Sequence, residues 1–183
     1  MYKNINTYQL VFPTPFGEMA LSYVERPFLI QEVCLPCQNR TDPAESVKRI
    51  DWGISGAHPH AIELVDSIIG YFHGRFNPRT WPSPPWAWMN LDRFTPLQQS
   101  TLKAVAEIPY GQLRSYKWVA KRIGRLGAAR FVGTTMAHNP YPILIPCHRV
   151  IRSDGKPGQF GGGADLKLKM IALEKKHSTC VCS

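Results

Sequence analysis

No stretch of this 183-residue chain approaches the roughly 20 apolar residues that a membrane-spanning helix needs, and residues 1–10 lack the apolar core of a signal peptide. The expectation is a soluble intracellular protein, cytoplasmic or nuclear, with no membrane partner. Cysteine is scarce: five residues, odd in number and scattered, which suits a reducing compartment rather than a disulfide framework. Cys34-x-x-Cys37 has no regular second pair, because Cys180-x-Cys182 lacks the spacing of a structural zinc site, so no metal is expected. Acidic residues nearly vanish from one region. Residues 99–156 hold only Glu107 and Asp154 against ten Lys and Arg, whereas residues 1–98 carry nine acids against eight bases. The net charge of +9 is thus concentrated, and a basic half joined to a near-neutral half is the footprint of a polyanion-binding module on a scaffold.

Short apolar runs over residues 8–12, 19–24 and 28–34, broken by Pro13, Pro15, Gly17 and Glu25-Arg26-Pro27, predict a small antiparallel sheet. Residues 39–57 are polar and read as a loop with a short helix. Ile62, Val65, Ile69 and Phe72 recur at three- and four-residue intervals, which predicts a helix over 60–73. His58 and His60 flank a proline in a loop and receive no role. Residues 78–88 read as an irregular segment or strand, with Trp81, Trp86 and Trp88 packing a surface between domains.

The composition shifts around residues 92–95. Thr95-Pro96 is a helix start, with Leu97, Leu102, Val105, Ala106 and Ile108 as its apolar face. Ser115 caps a helix running to about Ile123, and a glycine-bounded turn over 124–127 follows. A second helix over about 128–137 has Ala128, Phe131, Val132, Thr135 and Met136 on one stripe. Arg130 lies about 200° round from Ala128, so it points away from that stripe. Two helices joined by a short glycine turn make the helix-turn-helix pattern. A last helix from Asp165 carries Leu166, Met170, Ile171, Leu173 and Glu174, and residues 175–183 read as a frayed tail. The expected class is mixed α/β (α+β): a sheet-and-helix domain over 1–93 and a helical domain over 94–183.

The chemistry centres on Asn139-Pro-Tyr-Pro-Ile-Leu-Ile-Pro-Cys147-His148-Arg149-Val150. Pro140, Pro142 and Pro146 exclude a regular helix, and Ile143, Leu144 and Ile145 read as a buried strand or extended segment. This segment holds Cys147 in one orientation beside a histidine and an arginine, which can lower a thiol's pKa and make it a nucleophile. Downstream, Asp154-Gly155 and Pro157-Gly158 are turn dipeptides, and Gly161-Gly162-Gly163 lets a flat ligand approach the backbone closely.

Ile108-Pro109-Tyr110-Gly111, Ser115-Tyr116, Ala129-Arg130, Val132-Gly133, Asn139-Pro140, Pro146-Cys147-His148-Arg149-Val150, the glycine-rich loop and Lys167…Glu174 occur in the order and spacing of the O6-alkylguanine-DNA alkyltransferases, which residues 95–175 resemble. The resemblance implies a ribonuclease-H-like N-terminal domain and a winged-helix-like C-terminal one. It implies a monomer acting on double-stranded DNA that contains O6-alkylguanine, with no cofactor. Cys147 would take the alkyl group from O6 in one irreversible turnover. His148 would be the base, reached through a water, Glu174 would orient its ring, and Asn139 would brace the turn. Tyr116 would crowd the backbone phosphate and donate to guanine N3. Arg130 would fill the stack vacated by the flipped base, with its helix in the minor groove. Met136, Pro142, Val150, Phe160 and Gly161 would form the base pocket, and Lys117, Arg125 and Ser153 would contact phosphates. Phe160 and Gly161 depart from the tyrosine and serine frequent in that family, which leaves the preferred alkyl size open.

Two other classes fit parts of the pattern. A damage-sensing or regulatory DNA-binding module would bind a lesion without covalent transfer. A cysteine hydrolase built on Cys147 and His148 would act on acyl substrates, but it leaves the basic helix pair unexplained.

Overall fold

The computed structural model describes residues 7–36, 47–75 and 85–178. They fall into two compact units, residues 7–75 with 85–90 and residues 91–178. The fold is mixed α/β. In the first unit, β1 (Thr7–Thr14), β2 (Gly17–Glu25), β3 (Phe28–Cys34) and β4 (Val47–Asp51) form one sheet in the order β3-β2-β1-β4. β1 to β3 are the expected antiparallel meander. Leu10, Val11 and Phe12 on β1, and Met19, Ala20 and Leu21 on β2, are buried in succession, so both faces of the central strands are covered.

β4 corrects the reading of residues 39–57 as a loop with a short helix. It runs parallel to β1, with Ile50 opposite Leu10. Only Ile50 is buried, while Lys48, Arg49 and Asp51 face solvent and Arg49 pairs with Asp51 at 3.0 Å. A charged edge strand guards an open sheet edge, and that purpose erases the apolar alternation by which strands are recognised.

Helix α1 (Pro59–Phe72) packs on β1 and β2. Its buried face is Ala61, Leu64, Val65, Ile68, Tyr71 and Phe72, whereas Ile62, expected inside, is 40% exposed. His58 is also more than a loop residue. Its Nδ1 accepts the His60 amide at 3.2 Å and caps the helix, and its ring stacks on Phe28 at 4.5 Å. Trp86–Trp88 forms a 3-10 turn, with Trp88 stacked on His60 at 4.3 Å. Cys37, residues 78–84 with Trp81, and Cys180 and Cys182 lie outside the described residues.

The second unit opens with α2 (Pro96–Ala106). Thr95 Oγ1 accepts the Gln98 amide while the Gln98 side chain accepts the Thr95 amide, a reciprocal capping box. Leu102, Val105 and Ile108 are buried, and Leu97 and Ala106 are half-buried. Ser115 caps α3 (Tyr116–Arg122) by accepting the Trp118 amide. Gly124, at φ 70°, turns the chain into α4 (Ala129–Ala137). These three helices pack on one another. Val132, Thr135 and Met136 face inward and Arg130 faces solvent.

Two short strands, β5 (Arg114–Ser115) and β6 (Val150–Ile151), pair in parallel and bring the start of α3 beside the cysteine segment. Helix α5 (Gly163–Ser178) extends four residues past Glu174 as ordered helix, where a frayed tail was expected from residue 175. No helix among the described residues is long and apolar enough to cross a membrane.

Candidate active site

Ile143, Leu144 and Ile145 are not a strand. Ile145 N–H donates to Tyr141 O at 2.8 Å, and Ile143 sits at φ 72°, so the apolar run folds into a tight turn. A β-branched residue in the left-handed region costs on the order of 1–3 kcal/mol and persists only where its surroundings over-determine it. Asn139 does much of that work. Its Nδ2 donates to Ile145 O at 3.0 Å, and its Oδ1 accepts the Tyr141 amide at 3.0 Å. Residues 140–150 are buried throughout, and three of them are prolines with no amide that needs a partner.

Cys147, His148 and Arg149 then form one 3-10 turn that packs against α5. His148 is fully buried, and its Nε2 meets Glu174 Oε1 at 2.6 Å. Arg149 clasps the same carboxylate through Nε and Nη2 at 3.0–3.1 Å, and its Nη1 donates to Ile108 O at 2.6 Å. The Gly111 amide completes the set on Glu174 Oε2 at 2.8 Å. Burial alone would raise the Glu174 pKa, but the His148 hydrogen bond and the two cation-capable neighbours outweigh it and hold the carboxyl at about 2. Burial pushes the His148 pKa down, so the imidazole is neutral. Glu174 takes Nε2, which leaves Nδ1 for proton transfer.

The thiol departs from expectation. Cys147 is 3% exposed, and burial raises its pKa, with the Asn139 hydrogen bond and the Lys167 charge pulling the other way. Arg149 does not activate the thiol, because its guanidinium is spent on Glu174. The site therefore holds a neutral thiol beside a neutral imidazole, and the thiolate must be generated by proton transfer.

Arg149 and Lys167 are the participants whose tasks the sequence did not reveal. Lys167 is fully buried, donates to Val150 O at 2.6 Å and lies 3.4 Å from the Tyr116 hydroxyl. Burial lowers its pKa to about 8. A legible signal existed: Lys167 and Glu174 are seven residues apart on the stripe that also carries Met170, and charges on an inward stripe require partners.

Cys147, His148, Glu174 and Asn139 come together, and Tyr116 and Val150 join them through Lys167. Met136 and Pro142 are buried in the same unit. Tyr116, Lys117, Arg130 and Ser153 line an open groove of about 470 Å³. Phe160 and Gly161 line a second groove of about 420 Å³ that shares Gly158 and Gln159 with the first. Arg125 is exposed and lines neither, and Cys147 lines neither.

The sequence profile described as "6-O-methylguanine DNA methyltransferase, DNA binding domain" matches residues 96–176. A methylated-DNA–protein-cysteine methyltransferase of Mycobacterium leprae is 46% identical over 136 residues, 73% of this chain and 76% of that protein. One of Mycolicibacterium paratuberculosis is 48% identical over 86 residues, 47% of this chain, so the chain spans about half the length of that relative, at 52%. The crystal structure of Mycobacterium tuberculosis O6-methylguanine methyltransferase matches with a TM-score of 0.71 at 30% identity, covering 93% of this chain and 94% of that one. The same mycobacterial protein in complex with DNA matches over the same shares, with a TM-score of 0.69 at 32% identity.

Proposed function

This chain belongs to the methylated-DNA–protein-cysteine methyltransferase family, and we propose that it repairs O6-alkylguanine in duplex DNA by moving the alkyl group onto its own Cys147. The observation that carries this reading is the buried Glu174 carboxylate holding His148 at 2.6 Å directly after Cys147 in the chain. A nucleophile, a base and a group orienting that base are the parts acyl- and alkyl-transfer chemistry needs.

His148 Nδ1 takes the thiol proton through an intervening water, and Glu174 stabilises the imidazolium that forms. The Cys147 sulfur attacks the alkyl carbon, so a C–S bond forms as the C–O6 bond breaks with its electron pair on guanine. Tyr116 donates a hydrogen bond or proton at N3 as that charge develops. The target base lies inside the duplex and must be flipped out, at a few kcal/mol. Arg130, exposed on the outer face of α4, fills the vacated stack. Lys117, Arg125 and Ser153 hold phosphates, which position the protein without reading sequence. The flipped base lies against Met136, Pro142, Val150, Phe160 and Gly161. The helical unit acts as a winged-helix-like reader and the sheet unit as ribonuclease-H-like support, in a protein that works as a monomer. The thioether formed is inert to the thiol, imidazole and carboxylate gathered at this site, so each molecule turns over once.

Intact-protein mass after incubation with a duplex carrying one O6-methylguanine tests this. The expected result is a single added methyl group localised to Cys147 and absent from Cys147→Ala. Tight lesion binding without a mass change means a damage sensor instead, and the absence of both binding and transfer overturns the reading.

A further inference from the structure

Residues 99–156, where the bases concentrate, contain two carboxylates, and each is tied to an arginine. Glu107 pairs with Arg122 at 2.9 Å on an exposed surface. Asp154 pairs with Arg152 through both carboxylate oxygens, Oδ1 to Nε at 3.2 Å and Oδ2 to Nη2 at 3.1 Å. Asp154 is the one carboxylate among the residues lining the 470 Å³ groove, which otherwise presents Lys117, Arg130 and Arg152. It is held there by its loop. The Lys156 amide donates to Asp154 Oδ1 at 3.2 Å, Arg152 N–H donates to Lys156 O at 2.9 Å, and Gly155 turns at φ 81°. The hydrogen bonds from the Lys156 amide and from Arg152 keep the Asp154 carboxyl below its ordinary range, so it is charged at neutral pH.

A carboxylate in a groove that must accept phosphates repels the ligand and occupies a cation the ligand needs. We infer that Asp154 is a dwell-limiting residue: by holding Arg152, it weakens the groove's grip on undamaged duplex DNA and shortens each visit. The inference rests on the DNA-repair reading of the same groove. A protein that reacts once and searches among a large excess of undamaged sites gains from brief non-specific encounters, because bulk phosphate contact supplies nearly all non-specific affinity. When Arg152 is released from Asp154, one more cation can meet a phosphate, and the number of counterions displaced on binding rises by about one. Both partners are substantially exposed, at 59% and 42%, so the exchange requires no repacking.

The test measures dissociation constants for an undamaged duplex across a salt series for the wild type, Asp154→Asn, Arg152→Gln and the double variant. Asparagine keeps the acceptor for the Lys156 amide, so the loop keeps its shape, which a thermal melt verifies. Asp154→Asn is expected to bind about threefold or more tighter near 50 mM salt, with a log–log salt slope steeper by about one and a gain that shrinks at high salt. Most of that gain is expected to disappear in the Arg152→Gln background, leaving only the relief of direct repulsion. Unchanged or weaker binding by Asp154→Asn overturns the inference, and so does an equal gain with and without Arg152. Absence of salt-dependent duplex binding by the wild type would instead overturn the DNA reading on which it stands.

Discussion

Glu174 is the residue on which the site's electrostatics turn. It accepts from His148, Arg149 and the Gly111 amide while almost wholly buried. Replacing it by glutamine leaves the Arg149 cation buried without a counter-charge, which costs about 3–5 kcal/mol. Chemical denaturation is expected to show that loss, and alkyl transfer should fall with it because the imidazole loses its orienting anion. The pH dependence has a definite sign. A carboxyl whose pKa drops from 4.5 unfolded to about 2 folded stabilises the protein above pH 4.5, and that contribution is lost as pH falls toward 2. Lys167 works the other way. Its pKa falls from 10.5 unfolded to about 8 folded, so charging it opposes folding below pH 8 and stability rises between pH 8 and 10.5. Lys167→Met is expected to flatten that alkaline rise in melting temperature. A rise of the same size in the variant would show that Lys167 is not its source.

At the scale of elements, the glycine loop after β6 is shaped around Tyr116. Gly158 sits at φ 69°, and a Cβ there would lie 2.6 Å from the Tyr116 hydroxyl and 3.0 Å from its ring. Gly158→Ala therefore combines backbone strain with displacement of the phenol. The expected outcome is slower methyl transfer in a single-turnover assay, with the helical circular dichroism retained. Thr95→Ala removes one half of the capping box on α2 and should cost about 1 kcal/mol of stability without altering the transfer rate, since the cap lies on the exposed start of that helix. The contrast separates an element that builds the site from one that only supports the unit.

Across the whole molecule, charge is distributed by task. The sheet unit is near neutral, while the helical unit gathers the bases, and Lys117, Arg130 and Arg152 meet in one groove. With Arg152 occupied by Asp154 and Arg130 assigned to the vacated stack, the proposed function leaves Lys117 and Arg125 as the charged phosphate partners. Duplex affinity should then fall with salt at a log–log slope of roughly −2. Fluorescence anisotropy over a salt series checks this, and a slope near zero would mean that the groove does not neutralise phosphates.

Local rules sufficed wherever neighbouring residues decide the outcome. The meander of β1 to β3, the Thr95 and Ser115 caps, the glycine turn before α4 and the outward face of Arg130 all follow from short-range sterics, capping and periodicity. The Pro-Cys-His-Arg-Val block placed the proposed nucleophile and base side by side because one short turn holds them both. Other features depend on partners far away in the chain. β4 is a strand only because β1 offers it an edge, and its charged residues hide that pairing. Ile143 to Ile145 form a turn because Asn139 bridges them, although their composition suggests a strand. The cysteine pKa is raised because the fold buries the thiol, and Arg149, held by Glu174 25 residues on, does not offset that burial, so adjacency in sequence predicted the wrong sign. Lys167, lastly, finds its partners only because β5 and β6 pair and bring Tyr116 and Val150 to meet it. Sequence determines which groups are present and which local shapes they prefer. Tertiary burial decides which of those groups keep their charge and which partners they hold.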